Sequence, residues 1–517
     1  MSTPAGGAPR SASGGDPNRG LITASIMLAT VMNSLDTTIA NVALPNIRGS
    51  VSASADQITW VLTSYIVASA IMTPMTGWLA GRFGRKRVFM TAIIGFTIAS
   101  AFCGAAQSLG QIVLFRLLQG AFGAALVPLS QAVLMDVYPP EEQGPAMAIW
   151  GMGAILGPIV GPALGGWLTQ NFDWRWVFYI NLPLGLLAGL GVFSFIHDKP
   201  LAARTRFDFT GFALLSLAIG AFQLFLDRGA NKAWFESTEI WIEASIAGVA
   251  FALFVFHTLT AEQPFLPLAL IRDRNFTSAT IFGFFVGVLM FATLALLPPM
   301  LETLMGYPVV LTGLVTMPRG VGSLLSMFIV GRLINRIDTR LMVGTGLVLS
   351  SVALLGMSGF DLEMDSGLVV TMGLLQGVGI GLVFVPLTTL GFATLDSRYR
   401  ADGAGVFTLM RNLGASVGIS IMQALLTSNT QKVHARLTQG LTPDNPVARA
   451  ALHGGPFSLT NPGGIAALDG EVGRQSSMVA YVDDFKLMFI LGMAVLPLLF
   501  FMRPPRRGGG APHVAME

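Results

Sequence analysis

The chain has 517 residues, of which 53% are hydrophobic and only 11% are charged, and its formal net charge is +3. Soluble domains carry about 25% charged residues, so this composition excludes an ordinary soluble protein and indicates a membrane protein. The basic residues lie in loops between apolar segments, which argues against a nucleic-acid-binding surface.

Apolar segments long enough to span a bilayer, which takes about 20 residues, recur along the whole chain. They should be helical, because lipid offers no hydrogen-bond partner to an open strand edge. The sequence therefore predicts an all-α polytopic membrane protein with about fourteen transmembrane helices. In chain order the predicted spans are 21–44, 57–80, 86–106, 110–135, 144–169, 174–197, 207–227, 239–260, 276–301, 308–332, 341–360, 366–393, 402–426 and 485–503.

Lysine and arginine are unevenly distributed over the segments that join these spans. With the N-terminus placed in the cytoplasm, the cytoplasmic segments hold nineteen basic residues and the short outer loops hold four. This bias predicts that both termini are cytoplasmic.

The first span contains a carboxylate within an apolar helix. A charge in the bilayer centre costs about 3 kcal/mol or more, so the default interpretation is functional. The alternative is an interhelical hydrogen bond that only stabilises the bundle. In the segment NSLDTTIANVALPNI (33–47), four polar residues at offsets of 0, 3, 4 and 8 are predicted to share one helical face: Asn33, Asp36, Thr37 and Asn41.

Arg116 in the fourth span is the predicted partner of Asp36. Asp36 lies about nine residues, or roughly 13 Å, below the outer edge of its span, and Arg116 lies about six residues, or roughly 9 Å, below the same edge. A carboxylate between an arginine and an apolar surrounding can gain or lose a proton when its access to water changes. The sequence therefore predicts that Asp36 carries protons and that Arg116 tunes it.

Two motifs recur in the second half of the chain, about 254 to 258 residues later. GWLAGRFGRK (77–86) is matched by GRLINRIDTR (331–340), and LLQGAFGAALVPL (117–129) is matched by LLQGVGIGLVFVPL (374–387). Parallel repeats are typical of transporters whose substrate site lies between the two halves. The alternative is a duplicated membrane anchor without a transport pathway.

The repeats leave two spans unmatched in the middle of the chain. They predict two bundles of six helices each, joined by a linker that holds two extra helices. The predicted divisions are a disordered cytoplasmic tail (1–20), an N-terminal bundle (21–198), the linker (199–274), a C-terminal bundle (275–503) with a periplasmic segment (427–484), and a cytoplasmic tail (504–517).

The fifth span combines regularly spaced glycines with prolines. Small residues at every fourth position let another helix approach closely, and prolines bend a helix. Ordinary tight packing explains the same pattern, so the residues alone leave both interpretations open. The residues are Gly153, Gly157, Pro158, Gly161, Pro162 and Gly165.

Two arginines of the second half, Arg319 and Arg411, lie near the middle of their spans, and Glu302 lies only at the outer end of the ninth span. Each arginine therefore either faces a central cavity or binds backbone carbonyls at a helix break near Pro318 or Gly414. The predicted cavity residues are Asn33, Thr37, Asn41, Gln119, Arg319, Gln376 and Arg411.

Groups that could perform enzymatic or metal chemistry are sparse. Cys103 is the only cysteine, and the five histidines are scattered over the chain. The sequence therefore predicts no metal site, no cofactor and no enzyme.

Five motifs together resemble one family of transporters. They are LDTTIANVALP (35–45), GWLAGRFGRKR (77–87), RLLQG (116–120), the glycine-proline run 153–166 and WRWVFYINLPLG (174–185). The combination resembles the major facilitator superfamily, and within it the fourteen-span drug:proton antiporters of the EmrB/QacA type. The resemblance implies the major facilitator fold, protons as the coupling ion, and roles in proton transfer for Asp36 and Arg116.

The resemblance also assigns gating and packing roles. The glycine-proline run is similar to a motif shared by antiporters rather than symporters. The loop motif usually carries an acid at the position of Gly81, and Asn335 stands there in the second-half copy. That acid is expected to bridge to a neighbouring helix, so the gating contact must be weaker here or made elsewhere. The loop-motif residues are Gly77, Gly81, Arg82, Gly84, Arg85 and Lys86.

Residues 427–484 form a long outer segment, and AALDGEVGRQSSMVAYVDDF (466–485) resembles the EmrB branch. That resemblance implies a periplasmic membrane-fusion adaptor and an outer-membrane channel as partners. The alternative is a passive loop.

Together these features predict a proton-coupled multidrug efflux antiporter in a bacterial inner membrane. It would export hydrophobic or amphipathic small molecules by alternating access. The alternatives are an exporter of one specific endogenous metabolite, a proton-coupled symporter, and a non-transporting membrane receptor or scaffold.

Overall fold

The computed structural model describes residues 18–197, 206–229, 232–442, 445–446, 457 and 461–502. Within these ranges every regular element is a helix, which confirms the predicted all-α fold. The predicted tails, 1–20 and 504–517, lie outside the described residues except for 18–20. The first part of the predicted linker, 199–205, also lies outside them.

Most of the described chain is α-helical, and the helices are separated by short connections. A π-helical turn, Met300–Leu304, continues α14. The α-helices are α1 (Arg19–Ser50), α2 (Ala55–Ile58), α3 (Trp60–Met72), α4 (Met75–Phe83), α5 (Arg85–Ala105), α6 (Leu109–Gly123), α7 (Leu126–Val137), α8 (Pro140–Asn171), α9 (Trp176–Tyr179), α10 (Asn181–Phe195), α11 (Phe209–Gly229), α12 (Thr238–Thr260), α13 (Leu268–Arg272), α14 (Arg274–Pro299), α15 (Val309–Leu333), α16 (Thr339–Met357), α17 (Ser366–Phe392), α18 (Arg400–Thr438) and α19 (Pro462–Val495).

Twelve helical segments of the described residues are long and apolar enough to cross a membrane. They correspond to the predicted spans from the third to the fourteenth. The first two predicted spans are helical as well, since 21–44 lies within α1 and 57–80 falls mostly in α3 and α4. The helix is interrupted between α3 and α4 at Pro74, which has no backbone N–H to continue the hydrogen-bond ladder.

The long helices pack as two groups. In the first half of the chain, α1 contacts α8 and α10, α6 contacts α3 and α5, and α5 contacts α10. In the second half, α14 contacts α18, α17 lies between α15 and α16, and α19 contacts α16 and α18. The two helices of the linker, α11 and α12, pair with each other, and α11 lies against both α3 and α18.

The two groups meet mainly at one end of the bundle. We call it the terminal end, because α1 begins there and the described chain ends there at Met502. Close contacts of α8 with α15 and the residue that follows it run from Gly144 and Ile334 at this end to Ile159 and Gly320 about half-way along. The opposite end, where α18 ends and α19 begins, is called the hairpin end.

The helices α18 and α19 have 39 and 34 residues. At 1.5 Å per residue they are about 58 and 51 Å long, whereas the hydrocarbon core is about 30 Å thick. His434 and Asp469 join the protruding arms, with Nε2 3.0 Å from Oδ1. The predicted outer segment, 427–484, therefore begins and ends as helix. Charged residues end an apolar pattern but not a helix, so the helices continue beyond the predicted spans 402–426 and 485–503.

Candidate functional site

Asp36 of α1 is fully buried, and both of its carboxylate oxygens accept hydrogen bonds. Oδ2 accepts from Nη1 of Arg116 at 2.7 Å. Oδ1 accepts from Nε2 of Gln119 and from Nδ2 of Asn181, each at 2.8 Å. Arg116 and Gln119 lie one turn apart on α6, and Asn181 begins α10. The ion pair predicted from the depths of Asp36 and Arg116 is therefore present, and it joins three helices.

Arg116 makes further contacts that hold its guanidinium in place. Nε donates to the carbonyl of Val61 at 3.1 Å, and Nη1 also donates to Oε1 of Gln119 at 2.8 Å. The guanidinium carbon lies 4.3 Å from the ring centre of Tyr65 and 5.7 Å from that of Phe178. A buried ion pair needs such additional bonds, because it has lost the hydration of both charges.

A cavity of about 390 Å³ lies between the two groups of helices. Ligand pockets typically enclose about 300–1,000 Å³, so its size suits a small molecule. Four of the predicted cavity residues line it: Asn33, Thr37, Asn41 and Arg411.

Three predicted cavity residues lie elsewhere. Gln119 belongs to the ion-pair network. Gln376 is buried and donates from Nε2 to Oγ1 of Thr293 at 3.0 Å. Nη2 of Arg319 donates to the carbonyl of Met290 at 2.6 Å. Arg319 thus binds a backbone carbonyl, which was one of its two predicted roles, although the carbonyl belongs to the neighbouring helix α14.

Asp36 does not share the cavity face of α1 with the other three polar residues. Asn33, Thr37 and Asn41 are four positions apart, so they follow one line along the helix. Asp36 immediately precedes Thr37 and points about 100° away from it. It faces α6 and α10, while Asn33 donates from Nδ2 to the hydroxyl of Tyr65 at 2.9 Å. The prediction of a single polar face was wrong.

The glycine run of α8 packs directly on α1, beside Asp36. A Cβ at Gly157 would overlap the backbone of Ser34, and one at Gly161 would overlap the side chain of Thr38. Oγ of Ser34 donates to the carbonyl of Ala154 at 2.6 Å, and Oγ1 of Thr38 donates to that of Gly157 at 3.1 Å. The run therefore sets the close approach of α8 to the helix that carries the carboxylate.

Charged residues connect the two groups at the terminal end. Arg85, at the start of α5, forms an ion pair with Asp136 of α7. From the second half, Nη1 of Arg400 lies 3.6 Å from Oδ1 of Asp136 and donates to the carbonyl of Met135 at 2.9 Å. Asp136 therefore lies between one arginine of its own half and one of the other half.

The remaining loop-motif residues have different surroundings. Gly77 packs against Asp402 of α18, so a side chain at position 77 has no room. Gly84 joins α4 to α5 with a φ of 91°, a conformation that favours glycine. Lys86 donates to a carbonyl of α10 at 2.8 Å. The exposed members are Gly81 and Arg82.

Comparison with known families identifies the fold. The family described as Major Facilitator Superfamily matches residues 26–419. The chain belongs to the Major Facilitator Superfamily. It is therefore a multi-pass membrane protein and a transport protein rather than an enzyme, as predicted.

Two curated members of the superfamily match nearly the whole chain. The fatty acid resistance protein FarB of Neisseria gonorrhoeae is 35% identical over 497 residues, which cover 95% of this chain and 97% of FarB. The multidrug export protein EmrB of Escherichia coli K12 is 34% identical over 495 residues, which cover 95% of this chain and 96% of EmrB. These relatives confirm the predicted resemblance to the EmrB branch.

Solved structures of the superfamily share the fold at low sequence identity. The proton:xylose symporter XylE, bound to 6-bromo-6-deoxy-D-glucose, matches with a TM-score of 0.60 at 12% identity. The match covers 93% of this chain and 96% of XylE. It confirms the major facilitator fold, and because XylE is a symporter, the fold alone does not set the direction of transport.

In this superfamily member, contacts at the terminal end do not depend on an acid at position 81. A Cβ at position 81 would meet no atom within 4 Å. Arg400 bridges the halves, and Asn335, in the second-half copy of the motif, donates from Nδ2 to the carbonyl of Glu141 at 2.7 Å. The prediction was that the gating contact is either weaker or made elsewhere; these contacts from the second half fit the second alternative, and their role in gating stays a prediction.

Sequence reasoning missed two residues of the ion-pair site, Asn181 and Tyr65. Asn181 lies within WRWVFYINLPLG, where an amide in an otherwise apolar run indicates a buried polar contact. Tyr65 gave no signal, because a tyrosine is common in apolar helices. Its role follows from its position between the cavity and Arg116.

Proposed function

We propose that this chain is a proton-driven exporter of hydrophobic or amphipathic small molecules in a bacterial inner membrane, with both termini in the cytoplasm. The observation that carries the proposal is the buried pair of Asp36 and Arg116 beside the central cavity. The names of the relatives EmrB, a multidrug export protein, and FarB, a fatty acid resistance protein, support export.

The pair supplies a site at which a proton can be exchanged. Ionised Asp36 accepts three hydrogen bonds, so it is stable while the site is closed. A proton on Oδ2 would replace the bond from Arg116, and breaking a buried pair costs about 3–5 kcal/mol. Proton exchange at Asp36 therefore requires the helices to move, so that the bond from Arg116 is released and water reaches the carboxylate. In this way proton uptake is coupled to a change of conformation.

The closed end of the cavity supports alternating access. The two halves meet at the terminal end, which we assign to the cytoplasm, and the floor of the cavity there includes Thr73 and Thr408. This arrangement corresponds to a state from which substrate leaves toward the periplasm. Return to the other state requires the contacts of Arg400 and Asn335 to break.

The hairpin end is proposed to bind a periplasmic adaptor, through which the exporter would reach an outer-membrane channel. The support is the length of α18 and α19, whose arms extend about 20 Å or more beyond the roughly 30 Å hydrocarbon core. A transporter acting only within its membrane does not need such arms.

The decisive experiment is proton exchange in everted vesicles that contain wild type or Asp36→Asn. Export substrates are first identified as compounds to which the gene confers resistance in a strain without its own pumps. Adding such a compound to energised vesicles should release protons with wild type but not with Asp36→Asn. Asparagine has nearly the same size and shape as the aspartate that it replaces, so the variant should remain folded and inserted in the membrane. Proton release by the asparagine variant equal to that of wild type would exclude Asp36 as the proton carrier.

A further inference from the structure

Among the described residues that line the cavity, Arg411 is the one with a charged side chain. α18 approaches α14 closely at this level, since a Cβ at Gly287 would overlap the carbonyl oxygen of Arg411. This contact fixes the backbone at Arg411 and leaves its side chain in the cavity. No aspartate or glutamate of the described ranges lines the cavity, so the lining is positively charged.

The guanidinium of Arg411 has no acidic partner in the described part of the chain. Its Nε is buried and makes no hydrogen bond. By contrast, Arg116 and Arg319, the buried arginines among the described residues, are bonded, Arg116 to Asp36 and Arg319 to a backbone carbonyl. Because charged residues within a membrane-spanning bundle normally pair, Arg411 is a cation without its anion.

Aromatic residues support the guanidinium from one side. Its central carbon lies 5.6 Å from the ring centre of Phe384. That ring stacks on Trp150 at 6.1 Å and 14°, and Nε1 of Trp150 donates to Thr30 at 3.0 Å. The cation–π contact therefore rests on an anchored ring. The planar donors that remain suit the two oxygens of a carboxylate.

An apolar wall lies next to this cation. Met290, Phe291 and Leu294 lie on one face of α14 and line the same cavity. Methionine adapts to varied shapes, so the wall can pack against a flexible hydrocarbon chain. The cavity thus combines one cationic point with one apolar strip.

We propose that Arg411 is an anion subsite that binds the carboxylate of a single-chain amphipathic monoanion. The hydrocarbon part of that substrate lies along Met290, Phe291 and Leu294. This inference rests on the proposed export function and names its substrate class. The name of FarB, a fatty acid resistance protein, agrees with such a substrate.

Equilibrium binding to the full-length protein in a neutral detergent tests the subsite. The probes are radiolabelled dodecanoate and dodecyltrimethylammonium, which carry apolar chains of the same length and opposite charges. The variants are Arg411→Gln and Arg411→Lys. The matched control is Arg436→Gln, which removes an arginine from the exposed arm of the same helix.

Arg411→Gln should weaken dodecanoate binding about 10- to 100-fold, the range expected for losing a charge-assisted hydrogen bond. Binding of dodecyltrimethylammonium should not weaken, because a repelling charge is removed. Arg411→Lys should restore part of the dodecanoate affinity, and Arg436→Gln should leave it unchanged. An unchanged thermal unfolding midpoint would show that Arg411→Gln is folded.

Equal dodecanoate affinity in wild type and Arg411→Gln would overturn the subsite. An equal loss of dodecanoate affinity in the control Arg436→Gln would also overturn it, and so would the absence of dodecanoate binding to wild type. Proton-driven uptake by everted vesicles separates this outcome from a failure of the exporter. Proton-driven uptake of dodecyltrimethylammonium without dodecanoate binding would contradict the proposed subsite but not the proposed export function. Arg411-dependent dodecanoate binding without any proton-driven uptake would support the subsite and contradict the export function.

Discussion

The ring of Tyr65 lies 4.3 Å from the guanidinium carbon of Arg116, and its hydroxyl accepts a hydrogen bond from Asn33 at 2.9 Å. Tyr65 therefore forms the wall between the cavity and the ion pair. Only 4% of its surface is exposed, so the wall is closed in this conformation. We expect water and substrate in the cavity to reach Asp36 when Tyr65 moves away with α3, and this movement would link cavity occupancy to proton exchange.

The first prediction concerns the arginine of the ion pair. Arg116→Ala leaves the carboxylate of Asp36 buried without its counter-charge, which should destabilise the protein by about 3–5 kcal/mol and abolish efflux. Arg116→Lys keeps the charge but loses the planar donors that bind Val61 and Gln119, so it should restore function only in part. Thermal unfolding in detergent and efflux in everted vesicles measure the two effects. Wild-type stability and efflux in the alanine variant would show that the pair is dispensable.

The second prediction concerns the contact between α1 and α8. Gly157→Ala should reduce transport severely, because the new Cβ would overlap the backbone of Ser34. The matched control is Gly166→Ala on the same helix, where the Cβ would meet only Val42 at 4.0 Å. Since alanine stabilises a helix by about 1 kcal/mol relative to glycine, the control should be neutral or stabilising. Initial efflux rates compare the variants, and equal rates would mean that the close approach is unnecessary.

The ion pair could be predicted from sequence because a buried charge is costly and its depth follows from its position along a span. Its other partners could not be predicted in this way. Gln119 and Gln376 occupy equivalent positions of the two repeats, and both were predicted to line the cavity. Gln119 instead bonds to the ion pair, and Gln376 bonds to Thr293. A repeat determines where a residue lies in the fold, whereas its partner depends on how the neighbouring helices are rotated.

The third prediction concerns closure at the terminal end. Arg400→Gln should weaken the link between the halves, because it removes the contact of Arg400 with Asp136. The measurement is the rate at which an impermeant thiol reagent, added from the terminal side, labels Thr73→Cys at the cavity floor. Labelling should become faster in Arg400→Gln. The control, Arg398→Gln, removes an exposed arginine that forms an ion pair with Asp396 of its own half and should leave the rate unchanged.

A labelling rate in Arg400→Gln equal to that of the parent protein would show that Arg400 does not hold the halves together. Closure would then depend on the packing of α8 against α15.

The fourth prediction concerns Asp208, which lies one residue before α11. Burial acts to raise the pKa of Asp208, but hydrogen bonds from Gly211, His257 and Phe265 outweigh it and hold the pKa below its ordinary value. A lowered folded-state pKa means that the ionised carboxylate stabilises the fold above its unfolded pKa of about 3.9. That stabilisation is lost as the pH falls through the lower folded-state pKa.

Asp208→Asn should therefore lower the thermal unfolding midpoint at pH 7, and the difference from wild type should narrow below about pH 4. Thermal unfolding of both proteins in detergent at several pH values measures the difference between their midpoints. A difference that stays constant down to pH 3 would mean that the carboxylate acts through its shape rather than its charge.

The last prediction concerns the hairpin formed by the end of α18 and the start of α19. Replacing residues 431–474 by a short flexible linker should leave proton-coupled transport in vesicles intact, because the cavity and the ion pair lie outside this segment. Resistance should be lost in whole cells that depend on an assembled channel, since the adaptor would have no arm to bind. His434→Ala, which removes the hydrogen bond between the arms but keeps their length, is the matched control and should retain most of the resistance.

Photocrosslinkers at Ile465 and Val479, which are 46% and 42% exposed, should capture the adaptor. Full resistance with the shortened protein would mean that the hairpin is a passive loop and that any adaptor binds another surface.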